Sequence, residues 1–246
     1  MKTTIVVPTY NEADNVRPMT EALLALGLSD LDVLIVDDES PDGTGKIADQ
    51  LATEHAGRVH VLHRSKKRGL GRAYIAGFDW ALGHGAEAVV QMDCDFSHSP
   101  RDVPRLLARL ADYDLVVGSR YVEGGATDEN WEWGRELLSW WANLYARAIL
   151  RSSVRDITGG FKAWRRETLQ SIDLDSIKAQ GYVFQVEMTY VTDRLGHRIV
   201  EVPIYFEDRR IGQSKMTMQV KIEAALRVWQ IWWRHHHLQP SDRQPA

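Results

Sequence analysis

The chain has 246 residues, of which 44 % are hydrophobic and 26 % charged, as expected for a folded protein with one large core. Its single cysteine excludes an internal disulfide and any cysteine-rich zinc or iron–sulfur site, and favours a reducing compartment. The 30 basic and 34 acidic residues give a net charge of −4, which argues against a general nucleic-acid binder.

The first 120 residues alternate between short β-branched runs and amphipathic stretches. The apolar runs predict buried strands at 4–8, 33–37, 59–62, 88–92 and 115–118. The stretches between them predict helices at 13–26, 44–55, 71–82 and 100–110. Because strands and helices alternate, neighbouring strands should run parallel. The sequence therefore predicts an α/β fold with a mostly parallel sheet flanked by helices.

The second half of the chain is less regular. It predicts helices at about 135–150, at 183–195 and at about 217–236, and one strand at 198–206. Loops or turns are expected at 121–134, at 156–162 and at the basic segment 209–215, and the polar end, 238–246, is expected to be frayed. No composition break divides the chain, so one domain is predicted.

Two carboxylates, Asp93 and Asp95, directly follow the fourth predicted strand. Ligands of open parallel sheets bind beyond the carboxyl ends of the strands. Two acids at this spacing can share Mg²⁺ or Mn²⁺, with a substrate diphosphate completing the oxygen shell. A solvated turn explains the same residues, so both interpretations stand at this point.

Polar residues also follow the first two predicted strands. Pro8-Thr9-Tyr10-Asn11-Glu12 ends the first, and Asp37-Asp38 ends the second. Such acids can accept hydrogen bonds from a nucleobase or a ribose, although a Pro-Asp-Gly turn at 41–43 explains the second group equally well. Three polar strand ends indicate a single crevice.

Two segments resemble phosphate-binding loops but lack residues that such loops require. Residues 43–47 resemble a P-loop, but Ser40 stands where a glycine is required and Ile47 follows the lysine. The glycines at 69 and 71 lack the third glycine of a dinucleotide fingerprint. A nucleotidyltransferase is expected to have a glycine-rich phosphate loop after the first strand. This chain has PTYNE there, which argues against that class of enzyme. Positive charge that could stabilise a diphosphate is found instead at 66–68, Arg120, Arg209, Arg210 and Lys215. For each of these residues, a solvated charge on the surface is the alternative interpretation.

Together, several segments in a fixed order resemble family 2 glycosyltransferases of the GT-A fold, and most closely the polyprenol (dolichol) monophosphate mannose synthase branch. The segments are PTYNE (8–12), VDDESPDGT (36–44), KRGLGRAYIAG (67–77), MDCDFSH (92–98), GSRY (118–121), DITGGFKA (156–163), GYVFQVE (181–187) and DRRIGQSK (208–215). The resemblance implies a Rossmann-like GT-A catalytic domain over 1–215, with a C-terminal amphipathic helix and polar tail over 216–246 in the same domain.

The resemblance also implies roles for individual residues. Nucleoside contacts fall on Pro8, Tyr10, Glu12, Asp37 and Asp38, and the metal pair on Asp93 and Asp95. Arg209 and Lys215 lie on a loop that closes over the donor diphosphate, and Arg120 lies between donor and acceptor. Arg120, Arg135 and Ser139 are implied to bind the acceptor phosphate, and Asp95, Arg120, Arg209 and Lys215 to carry catalysis. Ser97 stands where the family often has a longer glutamine ligand, so water is expected to take that place.

The implied reaction transfers mannose from GDP-mannose to a polyprenyl phosphate, with Mg²⁺ or Mn²⁺ and with inversion at the anomeric carbon. A phosphate monoester has its second pKa near 6 and is largely ionised at neutral pH, so a strong general base is unnecessary. Alternatives are a synthase that uses UDP-glucose and the same lipid class, and a non-catalytic subunit that binds a nucleotide sugar and recruits a partner.

The acceptor of such an enzyme is a lipid, yet the longest uncharged stretch, 137–146, is about half of what a membrane span needs. Seven of the nine tryptophans fall in two clusters, within 131–141 and 229–233. Between residues 209 and 237 there are six Lys or Arg against one Glu. Interfacial helices on anionic lipid at the cytoplasmic face of a membrane are therefore expected, with a membrane-protein anchor as a further possible partner. Packing of the tryptophans in a core or an oligomer interface is the alternative.

Overall fold

The structure is a computed structural model that describes residues 1–65, 69–128, 133–207 and 218–244. Its strands are β1 Thr3–Thr9, β2 Leu31–Asp37, β3 Val59–His63, β4 Ala88–Gln91, β5 Leu115–Ser119, β6 Ala126–Thr127, β7 Lys162–Arg165, β8 Ile199–Pro203 and β9 Tyr205–Phe206. Its α-helices are α1 Ala13–Leu24, α2 Thr44–Glu54, α3 Leu70–Gly83, α4 Val103–Arg109, α5 Trp133–Leu150, α6 Arg166–Gln170, α7 Tyr182–Arg194 and α8 Met218–His235.

Seven strands form one sheet in the order β3-β2-β1-β4-β7-β5-β8, and β6 pairs with β9 in a small second sheet. All neighbours in the large sheet are parallel except β7, which runs antiparallel to both β4 and β5. The chain leaves β1 toward β2 on one side and returns at β4 on the other, so a crevice opens at their carboxyl ends. The predicted mostly parallel α/β architecture is confirmed.

Helices cover both faces of the sheet because side chains of each strand alternate between two apolar layers. Ile5 and Val7 of β1 face the core shared with α1, α2 and α4, whereas Val6 faces the core shared with α3, α6 and α7. Gly77 lets α3 approach the sheet closely, since a Cβ there would lie 2.3 Å from Val6 Cγ1. A third apolar cluster joins α5, α7 and α8. None of the helices in the described residues combines the length and apolarity needed to cross a bilayer.

Three expectations were wrong in detail. The predicted turn at 156–162 runs directly into β7, which the sequence analysis missed. The predicted strand at 198–206 is divided between β8 and β9, which belong to different sheets. The tail is not frayed up to residue 244: Arg243 donates to the carbonyl oxygens of Leu195 and Gly196, both at 2.8 Å. The basic segment 209–215 lies outside the described residues.

Candidate active site

A cavity of about 190 Å³ opens at the carboxyl ends of β1, β2 and β4. It is lined by Pro8, Thr9, Tyr10, Glu12, Asp38, Gly69, Leu70, Ala73, Asp93, Cys94 and Asp95. The three strand-end segments and the start of α3 therefore meet at one crevice. Burial raises the pKa of the Cys94 thiol well above its usual range, so this side chain is a neutral wall of the cavity rather than a nucleophile.

The Asp93 carboxylate is oriented by its surroundings. Tyr74, buried on α3, donates its phenolic hydroxyl to Asp93 Oδ1 at 2.9 Å. The Asp93 amide donates to His98 Nδ1 at 3.2 Å, which leaves the ring proton of a neutral His98 on Nε2. Burial lowers the pKa of His98, and its ring stacks on Phe161, so this histidine is neutral at pH 7.

The Asp95 carboxylate is held by a tight turn of its own chain. Its Oδ1 accepts from the Ser97 hydroxyl at 2.6 Å and from the Ser97 amide at 3.1 Å. Between them Phe96 adopts φ +62°, a left-handed conformation that is unusual for an aromatic residue. Such a strained backbone persists only where the surrounding structure holds it in place. The Ser97 hydroxyl thus helps to fix the Asp95 carboxylate, and the expectation that water takes the place of a longer ligand stays a prediction.

The chemistry of the donor set fits a hard divalent cation. Asp93 and Asp95 supply carboxylate oxygens two residues apart at one edge of the cavity. In the described residues no cluster of three or more His, Cys, Asp or Glu side chains forms a complete cage. A cation held by this pair would therefore take its remaining ligands from water or from a substrate phosphate, as Mg²⁺ commonly does.

The two consecutive acids at the end of β2 have different surroundings. Asp37 accepts from the Thr9 hydroxyl at 3.0 Å and from the Ser40 hydroxyl and amide at 2.6 and 3.2 Å, and it is not among the described residues that line the cavity. Asp38 lines the cavity and pairs with Arg64 at 2.6 Å, with both side chains largely buried. Asp37 anchors the loop, and Asp38 presents a carboxylate to the crevice.

Of the other expected nucleoside contacts, Pro8, Tyr10 and Glu12 all line the cavity. Glu12 is fixed from both sides, because its amide donates to Thr44 Oγ1 at 2.9 Å and its Oε2 accepts from Asn15 at 2.8 Å. These contacts tie the loop after β1 to the first turns of α1 and α2. The crevice wall is thus held by contacts within the protein itself.

Arg120, at the end of β5, is locked in a buried ion pair. Its Nε and Nη2 each lie 2.8 Å from an oxygen of Asp156, and Nη2 also donates to the Thr158 hydroxyl at 3.0 Å. Burial alone would lower the pKa of Arg120, but the Asp156 carboxylate overrides it and raises the value. Burial would raise the pKa of Asp156, and Arg120 instead holds it below its usual range. Arg120, the cation expected between donor and acceptor, is therefore neutralised by Asp156. Its hydrogen bonds to Asp156 and Thr158 hold the 156–160 turn in place.

The remaining expected site residues are only partly described. Ser139 on α5 exchanges a hydrogen bond with the Tyr121 hydroxyl at 3.0 Å, which joins α5 to the segment after β5. Arg135 lies on α5, but its side chain is outside the described part of the structure. Arg209 and Lys215 also fall outside the described residues.

Helices α5 and α8 present most of the exposed large apolar side chains of the described residues. These side chains, which we call the aromatic face, are Leu137, Trp140, Trp141, Leu144, Leu226, Trp229 and Trp233, each between 43 and 70 % exposed. The two helices are joined beneath it, since Trp229 donates to the Tyr145 hydroxyl at 3.1 Å and Tyr145 donates to the Ala225 carbonyl at 3.2 Å. Single exposed apolar residues are ordinary, but a contiguous set marks an interaction surface.

The residues that position the two acids were not predicted from the sequence. Tyr74 and His98 lie inside motifs that were singled out, yet only the structure shows their contacts with Asp93. Asp156 and Arg64 stand 36 and 26 residues from their ion-pair partners. Asp156 could have been noticed from its place in the DITGGFKA segment, whereas no local sequence pattern indicates a role for Arg64.

Comparisons with known proteins agree with this geometry. Residues 4–173 match the model of the family described as glycosyl transferase family 2. The chain is 50 % identical over 228 residues to an undecaprenyl-phosphate mannosyltransferase of Micrococcus luteus, covering 93 % of each protein. It is 46 % identical to a polyprenol monophosphomannose synthase of Mycolicibacterium smegmatis, covering 92 % of this chain and 85 % of that protein.

Solved structures show the same fold at lower identity. Glucosyl-3-phosphoglycerate synthase from Mycobacterium tuberculosis, crystallised with Mn²⁺, UDP and glucosyl-3-phosphoglycerate, superposes with a TM-score of 0.66 at 20 % identity. The superposition covers all of this chain and 81 % of that one. The same enzyme with Mn²⁺ and UDP-glucose gives a TM-score of 0.67. These similarities concern the fold.

Proposed function

This chain belongs to glycosyl transferase family 2, as its motifs predict, and from that premise we propose that it transfers mannose from GDP-mannose to a polyprenyl monophosphate. It is a glycosyltransferase with the GT-A fold. The observation that carries the proposal is the 46–50 % identity, over more than nine-tenths of the chain, to relatives named for mannosyl transfer to lipid phosphates. The relatives that use UDP-glucose share the fold at about 20 % identity, which favours mannose over glucose.

The nucleoside of the donor is proposed to bind against the loops after β1 and β2. Asp38 is the acid of that pair that lines the cavity, and Arg64 fixes its orientation. The Asp38 carboxylate can accept hydrogen bonds from N–H groups of the donor's base, such as N1–H and N2–H of guanine.

Asp93 and Asp95 are the residues proposed to hold Mg²⁺ or Mn²⁺ together with the donor diphosphate. When bound, the cation neutralises the charge that develops on the departing nucleotide. Tyr74 and Ser97 keep the two carboxylates in fixed orientations, so little reorganisation is needed when a substrate enters. Arg209 and Lys215, in the segment that follows β9 in the sequence, are proposed to add positive charge.

The transfer step is proposed to be a single displacement with inversion. An anionic oxygen of the acceptor phosphate attacks the anomeric carbon, the bond from that carbon to the donor diphosphate breaks, and GDP leaves with the bonding electrons. Because the nucleophile is already ionised near neutral pH, the protein needs no strong base. Arg135 and Ser139 on α5 are proposed to position the acceptor phosphate.

The aromatic face is proposed to rest on the membrane that holds the acceptor, at its cytoplasmic side. Tryptophans with an apolar body and a polar edge prefer the headgroup level of a bilayer. Arg227 on α8 and the basic segment before that helix add positive charge, which favours anionic lipid. An integral membrane protein that holds the chain at the bilayer would bind the same face.

A transfer assay with two donors tests the proposal. Purified protein, Mg²⁺ or Mn²⁺ and a short polyprenyl phosphate are incubated with radiolabelled GDP-mannose or UDP-glucose in parallel, and label in the lipid phase is counted. We expect label from GDP-mannose only, with loss of at least about 100-fold in Asp95→Asn, as for removal of a charge-stabilising group. Asp112→Asn, an exposed acid far from the crevice, is the matched control and should keep full activity.

The other outcomes are decisive as well. Label from UDP-glucose alone would overturn the donor and keep the reaction class. An anomeric configuration retained in the product would refute the single displacement. Nucleotide binding without transfer, with or without a membrane extract, would point to a recruiting subunit.

A further inference from the structure

A polar side chain, Asn143, lies buried in the middle of α5. It is 3 % exposed, and its contact residue Ile157 belongs to the apolar cluster that joins α5, α7 and α8. Asparagine is a poor residue for a helix interior, and a buried amide costs free energy unless its polar atoms are paired. The partners of Asn143 therefore decide why it can occupy this position.

Both ends of the Asn143 amide pair with the backbone of the turn at 155–158. Its Oδ1 accepts from the Ile157 amide at 3.0 Å, and its Nδ2 donates to the Arg155 carbonyl oxygen. A backbone N–H only donates, so the orientation of the side-chain amide is fixed. Glu201 on β8 accepts from the amides of Arg155 and Asp156 at 2.7 and 2.8 Å. The turn is thus held by α5 and by an edge strand of the sheet.

The same turn carries the carboxylate that holds Arg120. Asp156 is fully buried, and it accepts from Nε and Nη2 of Arg120 at 2.8 Å each and from the Arg120 amide at 3.0 Å. Two parallel bonds to one carboxylate fix the plane of the guanidinium. Nη2 also donates to Thr158. Within the part of the chain that the structure describes, Nη1 has no such partner, so this end of Arg120 keeps its N–H donors for a ligand.

A second set of contacts leads from Arg120 back to α5. The centre of the Tyr121 ring lies 5.1 Å from Arg120 Cζ, and the Tyr121 hydroxyl shares a hydrogen bond of 3.0 Å with the Ser139 hydroxyl. Ser139 and Asn143 are four residues apart, so they lie on the same face of α5, one turn from each other. The contacts therefore close on themselves. We call them the contact ring, and its members are Arg120, Asp156, the turn at 155–157, Asn143, Ser139 and Tyr121.

Closure of the ring fixes α5 relative to the end of β5. A single link between two elements leaves them free to rotate about it, whereas two links at different points remove that freedom. Here one link joins Tyr121 to Ser139, and the other joins Asn143 to the turn that holds Arg120. Positioning at this level matters for a reaction, because a displacement of about 1 Å can reduce a rate about 100-fold.

We propose that Asn143 is a positioning residue for the acceptor: by closing the contact ring it holds Ser139 at a fixed place relative to Nη1 of Arg120, so that both can bind one phosphate monoester. Asn143 is buried and acts through these two residues. The inference rests on the proposed function, because it concerns groups proposed to bind the acceptor.

The affinity for a short, water-soluble polyprenyl phosphate tests the ring without requiring turnover. Titration calorimetry with GDP and Mg²⁺ in excess gives its Kd for the wild type and two single variants. Asn143→Leu removes both amide contacts and keeps most of the volume, and Tyr121→Phe removes the hydroxyl that meets Ser139. We expect the Kd for the lipid phosphate to rise about 10-fold in each variant, with the Kd for GDP unchanged.

The double variant separates a ring from two independent contacts. A ring that is open at one link gains no further freedom of the same kind when the second link is removed. Asn143→Leu combined with Tyr121→Phe should therefore bind the lipid phosphate about 10-fold more weakly than the wild type, whereas independent contacts would give about 100-fold. A loss that multiplies in this way would overturn the ring.

The matched control for stability is Thr168→Val. This change removes a buried hydrogen bond of 2.9 Å to the Asp114 carbonyl oxygen, next to the opposite end of β5. Thr168→Val should lower the melting temperature, as Asn143→Leu does, and should leave the Kd for the lipid phosphate unchanged. Weaker binding in the control, or a raised Kd for GDP in Asn143→Leu, would show general damage and would overturn the positioning role.

The remaining outcomes also decide between the claims. If Asn143→Leu does not fold, Asn143→Asp takes its place, because it keeps the acceptor for the Ile157 amide and loses the donor to Arg155. Wild-type affinity in the Asn143 variant would overturn the inference alone. If the wild type bound no polyprenyl phosphate, the ring and the acceptor site would fall together. Binding of the lipid phosphate without mannose transfer would instead refute the proposed function and leave the ring in place.

Discussion

The buried ammonium of Lys162 should make the stability of the protein depend on pH in a defined window. Its pKa is about 7 in the folded protein and 10.5 in an exposed lysine, so between these values the unfolded chain binds the extra proton. Stability therefore rises as the pH increases through that window. Below pH 7 both states are protonated and the full penalty remains; above about pH 10.5 both are neutral and the penalty vanishes.

The size of the effect follows from the 3.5-unit difference in pKa. At about 1.4 kcal/mol per unit, the penalty is about 4 kcal/mol at pH 7 and about 1 kcal/mol at pH 10, as an upper bound. Lys162→Met removes the titrating group and keeps most of its volume. The stability advantage of this variant should shrink by about 3 kcal/mol between pH 7 and pH 10. Any loss from its missing hydrogen bonds is independent of pH and does not enter this difference.

Urea unfolding of the wild type and Lys162→Met at pH 7, 8, 9 and 10 measures the difference directly. Lys46→Met, an exposed lysine on α2, is the matched control, and its difference from the wild type should stay flat. A gap between Lys162→Met and the wild type that does not change with pH would refute the reasoning, because it would mean that Lys162 keeps its proton, or lacks it, equally in both states.

Three further expectations concern the site and its surroundings. Tyr74→Phe removes only the hydroxyl that binds Asp93 and should weaken Mn²⁺ binding with GDP about 10-fold at unchanged thermal stability; equal affinity would show that this bond does not matter. Asp156→Asn leaves the buried Arg120 without its counter-charge and should cost about 3–5 kcal/mol in urea unfolding; a loss below about 1 kcal/mol would contradict the buried ion pair. Trp233 on α8 is 70 % exposed, and Trp233→Gln should reduce the fraction of protein that floats with anionic vesicles. Mannose transfer to a short, water-soluble acceptor should be unchanged. Unchanged flotation would argue against a lipid contact at this position.

Local patterns were sufficient for the first half of the fold. Continuous apolar runs such as Val33 to Val36 identified strands covered on both faces, and all five strands predicted in the first 120 residues are present. β7 was missed because it has only four residues, follows two glycines and begins with an inward-facing lysine. Its insertion between β4 and β5 is a long-range pairing, for which a local pattern holds no information.

The candidate site was predicted to a similar extent. The rule that ligands bind at strand ends correctly brought Asp93, Asp95 and Asp38 to one cavity. It did not separate Asp38 from Asp37, because adjacent residues leave a strand on opposite sides and the side that faces the crevice depends on the whole sheet. Arg120 and Asp156 are 36 residues apart in the sequence. The sequence therefore indicated a cation at position 120 but not the carboxylate that neutralises it.

The place of β7 also governs the order in which the polypeptide can assemble. β4 can pair with β1 as soon as both strands are synthesised. The other edge of β4 stays unpaired until residues 162–165 leave the ribosome, about seventy residues later. β5 waits for the same segment, since β7 is the strand that lies between β5 and β4 in the described sheet. Until then the apolar β4, Ala88–Gln91, has an open backbone edge on which another chain can pair. A break in the chain between β5 and β7 would leave two interlocking fragments rather than two independent units, and translation pauses before residue 165 would prolong the interval in which the nascent chain can aggregate.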